Sequence, residues 1–251
     1  MNVTANGSAS EQIEALFRMF KLPTAAELMV RRVAEAGFED ALEVVAEVLE
    51  CERQDRWERR VQRLRHASRL PPAKTFDAFD DKRLPNELRR KIRELTAGDF
   101  VERGANVLAF GLPGTGKSHF ACALGHALVE SGRSVLFVPT FKLVQDLLVA
   151  KRDLELPRAL RKLDKFDLLI LDDIGYVQQN ESEIEVLFTL MAERYERRSM
   201  LITSNLVFSE WDRIFRNPMT TAAAIDRVVR HSTILEFSVT SYRTASQRET
   251  E

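Results

Sequence analysis

Cysteine is scarce in this sequence, and long apolar segments are missing altogether. Cys51 and Cys122 are the two cysteines among 251 residues, and they lie far apart in the chain. We therefore expect no disulfide framework, and a reducing cytoplasm is the predicted location. No segment approaches the roughly 18 consecutive apolar residues of a membrane-spanning helix. The polar start of the chain, MNVTANGSAS, lacks the apolar core of a secretion signal and is expected to be a loose tail over residues 1–10.

Glycine is also sparse, yet three of the ten glycines fall within six positions, as Gly111, Gly114 and Gly116. They belong to the segment GLPGTGKS, residues 111–118, which matches the phosphate-loop pattern G-x-x-x-x-G-K-S/T. Glycine lets phosphate oxygens approach backbone N–H groups, and it permits the positive φ angles of a tight turn. Because the segment follows a predicted strand and opens a predicted helix, we expect the phosphates of a nucleotide to bind here.

The residues beside these glycines predict the remaining contacts to a nucleotide. Lys117 is expected to reach the β- and γ-phosphates as a point charge, and the hydroxyl of Ser118 is expected to bind Mg²⁺. ATP and Mg²⁺ are therefore the expected cofactors. The predicted nucleotide-binding residues are Gly111, Leu112, Pro113, Gly114, Thr115, Gly116, Lys117, Ser118 and His119.

Two further apolar segments end in polar residues, in LLILDD at residues 168–173 and in MLITSN at residues 200–205. The carboxyl ends of parallel strands meet at one edge of a sheet, so these polar side chains are expected to face the phosphate loop. Asp172 is the predicted metal-binding acid, directly or through water, and Asp173 is predicted to polarise the attacking water. Asp is one methylene shorter than the Glu that is commoner at this second position. Asn205 is expected to orient water near the γ-phosphate.

Short apolar segments alternate with helical patterns after residue 105, which is typical of a parallel sheet covered by helices on both faces. Five strands are predicted, at residues 107–110, 134–138, 168–171, 200–203 and 233–237. The expected fold is therefore α/β, with a doubly wound, parallel, five-stranded phosphate-loop core. The predicted domains are a small all-α N-terminal domain for partner or DNA interaction at 11–70, a linker and connector at 71–105, the core at 106–245 and a tail at 246–251.

Charge is distributed unevenly along the predicted helical N-terminal domain, whose first helix Ser10 is expected to cap. Residues 11–50 carry nine acidic and four basic residues, whereas residues 51–70 carry seven arginines and three acidic residues. A second basic segment, residues 141–165, has seven basic and four acidic residues. Such segments are typical of a surface that binds a polyanion or a partner protein, and an exposed helix face with internal ion pairs is the alternative.

Hydrolysis of a triphosphate also requires positive charge on the transition state beyond a lysine and a metal ion. Arg227 and Arg230 lie three positions apart on one face of a predicted helix. Either arginine could act on the nucleotide of a neighbouring subunit. An ion pair with Asp226, or simple packing, is the alternative for these side chains.

The order of phosphate loop, Asp-Asp strand, Ser-Asn strand and late arginine resembles the AAA+ ATPases. More narrowly, it resembles the IstB-type insertion-sequence helper ATPases, relatives of the DnaC helicase loaders. The resembling segments are GLPGTGKSH, LLILDDIGY, LITSNLVFSEW, AAAIDRVVRHSTILEF and SYR. The resemblance implies a doubly wound ATPase core with the strand order 5-1-4-3-2. About fourteen residues follow the last predicted strand, which is too few for the helical lid typical of AAA+ proteins, so we expect a core without a C-terminal lid. It implies that Asn205 senses the γ-phosphate and that Arg227 is the arginine finger, and Arg243 could replace a lid-borne arginine.

The resemblance also implies a function. It indicates an ATPase that converts ATP to ADP and phosphate, forms ATP-dependent homo-oligomers on duplex DNA without reading its sequence, and recruits or stimulates a partner transposase. Contacts to the DNA backbone are expected from the basic segment at residues 141–165. The candidate DNA-binding residues are Lys142, Lys151, Arg152, Arg158, Arg161 and Lys162.

The sequence leaves two alternatives open. A DnaC-like replicative helicase loader would share the ATPase core, and the N-terminal domain would decide between the two functions. Such loaders often carry a cysteine zinc cluster, which two distant cysteines do not provide. A nucleotide-binding interaction module without hydrolysis is the other alternative, and the intact Lys117, Asp172 and Asn205 disfavour it.

Overall fold

The computed structural model describes residues 8–176, 181–206, 210–211 and 218–238. The chain divides into two compact units, with the boundary between Gln62 and Arg63. The first unit is helical and the second contains a parallel sheet. Arg243 and the predicted tail at 246–251 lie outside the described residues.

Three helices build the described part of the first unit: α1 (Ala9–Met19), α2 (Pro23–Glu35) and the beginning of α3 (Ala41–Ser68). The hydroxyl of Ser8 accepts the N–H of Glu11 at 3.4 Å, and the Glu11 carboxylate accepts the N–H of Ser8 at 3.0 Å. This reciprocal cap satisfies two donors that the start of α1 would otherwise leave free. Ser10, the predicted cap, instead lies inside α1. The helix begins at Ala9 and therefore includes the last two residues of the predicted tail.

The first unit has its own small apolar core, formed by Ile13, Phe17, Ala26, Leu42 and Ala46. The guanidinium of Arg56 lies 4.2 Å from the centre of the Phe20 ring, which is a cation–π contact. The arginine-rich part of α3 also contains ion pairs along the helix, namely Arg53 with Glu50 and Arg56 with Glu52. Part of its positive charge is therefore neutralised within α3 itself.

The second unit is built on a five-stranded sheet in which every strand pair is parallel. The strands are β1 (Asn106–Gly111), β2 (Val135–Pro139), β3 (Leu168–Asp172), β4 (Ser199–Ser204) and β5 (Ser232–Phe237). Their order in the sheet is β2-β3-β4-β1-β5, which confirms the predicted order 5-1-4-3-2 and the predicted α/β fold class. The central strands are continuous apolar runs because both of their faces are covered by helices.

Seven helices accompany these strands in the described part of the second unit. They are α4 (Asn86–Thr96), α5 (Asp99–Glu102), α6 (Lys117–Glu130), α7 (Thr140–Arg152), α8 (Leu156–Leu163), α9 (Glu181–Arg194) and α10 (Pro218–Val229). A short 3₁₀ turn, Ile174–Tyr176, follows β3. None of the described helices combines the length and the apolar character needed to cross a membrane. The alternation of strand and helix places the start of α6 and the ends of β3 and β4 at one edge of the sheet.

The segment predicted as linker and connector, residues 71–105, contains α4 and α5, which the sequence prediction omitted. α4 buries Leu88, Ile92 and Leu95 on one face, and it packs against α6 and β5. Charged residues occupy most of its other positions, so its apolar stripe is narrow. Such a helix is hard to distinguish in sequence from an exposed connector.

One buried arginine ties together three parts of the second unit. Arg194, at the end of α9, is 1% exposed and donates to the carbonyls of Leu163 and Phe166, both at 3.0 Å. It also donates to the carbonyl of Ser199 at 2.8 Å. Burial lowers the pKa of its guanidinium to about 10, and the nearby Asp164 opposes that shift. These bonds hold the end of α8, the approach to β3 and the start of β4 in place.

Candidate functional site

The phosphate loop lies between the end of β1 and the start of α6. Gly116 is the N-cap of α6 and has a φ of 95°, and Gly114 has a φ of 81°. Both angles lie in the left-handed region, which glycine adopts without strain. The backbone N–H groups in the first turn of a helix have no carbonyl partner within the helix, and in α6 they lie at the positive end of the helix dipole, which favours a bound anion. The geometry of the loop therefore suits a phosphate group.

Lys117 is buried at the base of this loop. Its ammonium donates to the carbonyls of Gly111 at 2.6 Å and Leu112 at 2.8 Å. Thr115 is also buried, and its hydroxyl donates to the Leu112 carbonyl at 2.8 Å. The side chain of Leu112 is exposed, so this residue contributes through its backbone. The positive charge of Lys117 is therefore held inside the loop, where a triphosphate would bind.

A cavity of about 290 Å³ opens beside the phosphate loop. Its lining residues are Lys74, Ala78, Phe79, Asp80, Gly114, Gly116, Lys117, Ser118 and His119. The Nε2 atom of His119 lies 2.9 Å from the carbonyl oxygen of Thr75, which fixes the imidazole ring. The ring centres of His119 and Phe79 are 5.3 Å apart. The aromatic rings and the anion-binding phosphate loop therefore line the same cavity.

The residues before α4 that line this cavity were missed by sequence reasoning, which treated residues 71–105 as a linker. The sequence signal that could have identified them is a pair of aromatic residues within the predicted linker. Phe76 and Phe79 lie three positions apart in that segment, and their ring centres are 6.2 Å apart in the structure. Aromatic side chains carry a large apolar surface that a solvated linker has no means of burying.

The two candidate acids lie where β3 ends. Asp172 is the last residue of β3, and Asp173 follows it with a φ of 62°, in the left-handed region that few non-glycine residues adopt. The Thr203 hydroxyl on the neighbouring strand β4 donates to Oδ1 of Asp172 and accepts the N–H of Asp173, both at 2.8 Å. The hydroxyl of Thr140, at the start of α7, donates to the Asp172 carbonyl at 2.9 Å. Hydroxyls from two neighbouring elements therefore hold the acids.

Asp173 is the perturbed acid of the site. Its Oδ1 atom is buried and has no hydrogen-bond partner among the described residues. Burial raises the pKa of Asp173, the charge of Asp172 raises it further, and the ammonium of Lys117 opposes the shift. The influence of Lys117 indicates that the phosphate loop and the end of β3 face one site. A carboxylate with a raised pKa is better suited to accept a proton from water.

Asn205 follows β4 and lies against the 3₁₀ turn after the two acids. Its Oδ1 atom is buried, has no hydrogen-bond partner among the described residues, and occupies the space that a β-carbon on Gly175 would need. Sequence reasoning included Asn205 but missed Gly175. No local pattern could have identified Gly175 by this role, because the role depends on a contact between two distant segments.

Oxygen ligands for a divalent cation are available from Ser118, a hydroxyl, and Asp172, a carboxylate. Within the described ranges, no group of three or more His, Cys, Asp or Glu side chains could hold a metal ion. This donor set fits Mg²⁺, which usually takes one or two protein oxygens and completes its shell with water and phosphate oxygens. The buried Oδ1 of Asp173 is a further acceptor, suited to a water molecule. The site therefore suits a magnesium–nucleotide complex rather than a protein-only metal centre.

The two candidate arginine fingers lie on and just after α10. The Arg227 guanidinium is 4.4 Å from the centre of the Phe188 ring of α9, and its Nη1 atom is buried with no hydrogen-bond partner in the described part of the chain. Arg230 is exposed, and a hydrogen bond with Tyr195 raises its pKa. Within one chain both arginines contact α9 or the residue after it. Their action on a nucleotide stays a prediction.

The six residues predicted to contact DNA lie on α7 and α8. Three of the six form ion pairs, namely Lys151 with Glu185, Arg152 with Asp153 at 3.0 Å, and Arg158 with Glu155 at 3.3 Å. The other three, Lys142, Arg161 and Lys162, are exposed, and no ion pair involves them among the described residues. These three carry the least compensated positive charge of the predicted set.

Known proteins are similar to this chain in sequence. The family model for IstB-like ATP-binding proteins matches residues 13–250. An insertion-sequence ATP-binding protein of Sinorhizobium fredii is 46% identical over 232 residues, which cover 91% of this chain and 78% of the relative. The ATP-binding protein of insertion sequence IS21 from Pseudomonas aeruginosa is 40% identical over 201 residues, which cover 78% of this chain and 76% of the relative.

Solved structures show the same core fold. The crystal structure of the DnaC helicase loader matches with a TM-score of 0.52 at 20% identity, covering 66% of this chain and 97% of the loader. AMPPCP-bound DnaA from Aquifex aeolicus matches with a TM-score of 0.56 at 18% identity, covering 73% of this chain and 56% of DnaA. At these identities the likeness concerns the fold alone. Because the family model spans nearly the whole chain, this protein belongs to the family of IstB-like ATP-binding proteins.

Proposed function

We propose that this protein hydrolyses ATP with Mg²⁺ at the site formed by the phosphate loop and the ends of β3 and β4. The observation that carries the proposal is geometric: Lys117 is buried in the phosphate loop, the Thr203 hydroxyl holds both acids at 2.8 Å, and the buried Oδ1 of Asp173 has no hydrogen-bond partner among the described residues. The charges of Asp172 and Lys117 both act on the pKa of Asp173, which supports a single site. Phosphoryl transfer to water needs this combination: a lysine for the phosphates, an acid for the cation and an acceptor that positions the attacking water.

In this proposal the residues of the chain divide the work of hydrolysis. The backbone N–H groups of residues 111–118 and the ammonium of Lys117 bind the phosphates. Ser118 and Asp172 would hold Mg²⁺, which when bound supplies positive charge beside the β- and γ-phosphate oxygens. Asp173 accepts a proton from the attacking water, and the amide of Asn205 orients that water toward the γ-phosphate.

The nucleoside part of ATP is proposed to occupy the cavity beside the phosphate loop. That cavity lies against Ser118 and His119, and Phe79 provides an aromatic surface on which a base can pack. A neighbouring subunit is proposed to supply Arg227, or Arg230 in its place, to the transition state. Hydrolysis would then depend on assembly, because one chain would lack that positive charge.

We further propose that the protein works in the cytoplasm, assembles on duplex DNA as a homo-oligomer and acts with a partner transposase. Its relatives at 46% and 40% identity are insertion-sequence ATP-binding proteins, which favours a transposition helper over a helicase loader. The exposed Lys142, Arg161 and Lys162 suit contacts with DNA phosphates, which carry no sequence information.

Phosphate release measured with and without duplex DNA, with particle size followed in ATP and in ADP, tests this function. The wild-type protein is expected to release phosphate only with Mg²⁺, to do so faster on DNA, and to form larger particles in ATP than in ADP. Lys117→Ala is the matched control, since it removes the ammonium from the phosphate loop. No Mg²⁺-dependent release would contradict hydrolysis. A monomer that ignores DNA would contradict assembly on DNA.

A further inference from the structure

We infer that Thr203 is a positioning residue for the divalent cation of this site, through a single hydroxyl that bridges the two acids. The hydroxyl donates to Oδ1 of Asp172 and accepts the backbone N–H of Asp173, both at 2.8 Å. Thr203 is 1% exposed, so its hydroxyl is shielded from solvent. This inference rests on the proposed function, because it concerns the cation and the acids assigned to ATP hydrolysis.

The first bond fixes the carboxylate of Asp172. A threonine hydroxyl has one O–H donor, and here that donor is directed to Oδ1 of Asp172. This bond takes one acceptor site of Oδ1, so Oδ2 is the less engaged oxygen for the cation. Hydrogen bonds to metal-binding carboxylates orient the ligand, and their loss typically weakens metal binding or activity about 10- to 100-fold.

The second bond fixes the peptide that joins the two acids. Asp173 has a φ of 62°, an unfavourable angle for a residue with a side chain, and its N–H is held by Thr203. The bend turns the chain away from the direction of β3 immediately after Asp172. Thr140 holds the Asp172 carbonyl from the other side, at 2.9 Å. The Thr203 hydroxyl therefore fixes both the carboxylate of Asp172, the metal-binding acid, and the backbone N–H of Asp173, the water-positioning residue.

A merely structural role for Thr203 makes a different prediction. In that case, loss of the hydroxyl would lower thermal stability and affect every property of the site equally, with no particular effect on the cation. Ser199 provides the matched comparison. It is a buried residue on the same strand, at the opposite end, and its hydroxyl donates to the Phe100 carbonyl at 3.3 Å.

The experiment compares Thr203→Val, which removes the hydroxyl at nearly constant volume, with Thr203→Ser, which keeps it, and with Ser199→Ala. A fluorescent, non-hydrolysable ATP analogue is titrated onto each full-length protein in EDTA and at increasing MgCl₂. Thr203→Val is expected to need about 10- to 100-fold more Mg²⁺ for half-maximal enhancement of analogue binding. Its affinity in EDTA is expected to stay within about twofold of the wild type, since the phosphate loop is unchanged. Thr203→Ser and Ser199→Ala are expected to keep the wild-type Mg²⁺ requirement.

Two results would overturn the inference: an unchanged Mg²⁺ requirement in Thr203→Val, or an equal loss of affinity with and without Mg²⁺. If the valine variant does not fold, Thr203→Ala replaces it, because alanine also lacks the hydroxyl and fills less space. The binding assay does not depend on turnover. Wild-type protein that binds the analogue with Mg²⁺ but releases no phosphate from ATP would therefore refute hydrolysis while leaving the Thr203 comparison intact.

Discussion

Asn205 Oδ1 occupies the space beside Gly175 that any larger residue at position 175 would fill with its β-carbon. Gly175 belongs to the 3₁₀ turn after β3, and Asn205 follows β4, so this contact joins the ends of two neighbouring strands. The Asn205 side chain, which is proposed to orient the attacking water, can therefore lie here because residue 175 has no side chain.

Gly175→Ala tests this relationship. The added methyl is expected to displace the Asn205 amide and to lower the rate of ATP turnover about 100-fold, because small misplacements of positioning groups are costly. Nucleotide affinity is expected to stay near the wild-type value, because the phosphate loop is separate from this contact.

A double-mutant cycle supplies the control for Gly175. Asn205→Ala alone should match the loss of Gly175→Ala, and the combined variant should be no slower than Asn205→Ala. Additive losses in the combined variant would show that Gly175 acts by some route other than Asn205.

Asp173→Asn tests the acid assigned to the attacking water. The amide cannot accept a proton, so turnover is expected to fall by at least about 100-fold while ATP still binds. Phosphate release and equilibrium binding of the non-hydrolysable analogue are the two measurements. Lys117→Ala is the contrasting variant, which should lose binding itself. Unchanged turnover in Asp173→Asn would remove Asp173 from the mechanism.

Arg194→Met tests the buried tie between α8, α9 and β4. The substitution removes three hydrogen bonds, two of them part-buried, to the Leu163 and Phe166 carbonyls, and one buried, to the Ser199 carbonyl. The free energy of unfolding is therefore expected to fall by about 3 kcal/mol. Urea denaturation without nucleotide measures this change. Arg197→Met is the matched control, because Arg197 forms exposed ion pairs with Asp164 and Glu193 and should cost less than about 1 kcal/mol. Equal losses of unfolding free energy in the two variants would mean that burial of Arg194 does not determine how much it stabilises the fold.

The basic surface of α7 and α8 predicts a salt-dependent affinity for duplex DNA. Lys142→Ala combined with Arg161→Ala is expected to weaken binding and to reduce the slope of log affinity against log salt by about 2, if each residue contacts one phosphate. Fluorescence anisotropy over a salt series measures both quantities. Arg90→Ala on α4 removes an exposed charge elsewhere and should change neither. An unaltered slope in the double variant would place the DNA contacts on another surface.

The parts of the fold that sequence predicted are those that local chemistry determines. The phosphate loop and the apolar strands can be recognised from consecutive residues in the sequence. The family resemblance supplied the strand order, which the structure confirms. α4 was missed because its three buried residues are surrounded by charge. Gly175 and Thr203 were missed because their roles arise from contacts across strands, between residues about 30 positions apart in the chain. Sequence patterns report local periodicity, and such contacts leave no trace in it.

A structure determined with Mg²⁺ and a non-hydrolysable ATP analogue would show directly where the nucleotide binds. We expect a triphosphate on the N–H groups of residues 111–118, beside the ammonium of Lys117, with the cation between Ser118 and Asp172. We also expect the base in the cavity near Phe79 and His119. An analogue bound elsewhere, or no analogue bound at saturating concentration, would refute ATP binding at this site.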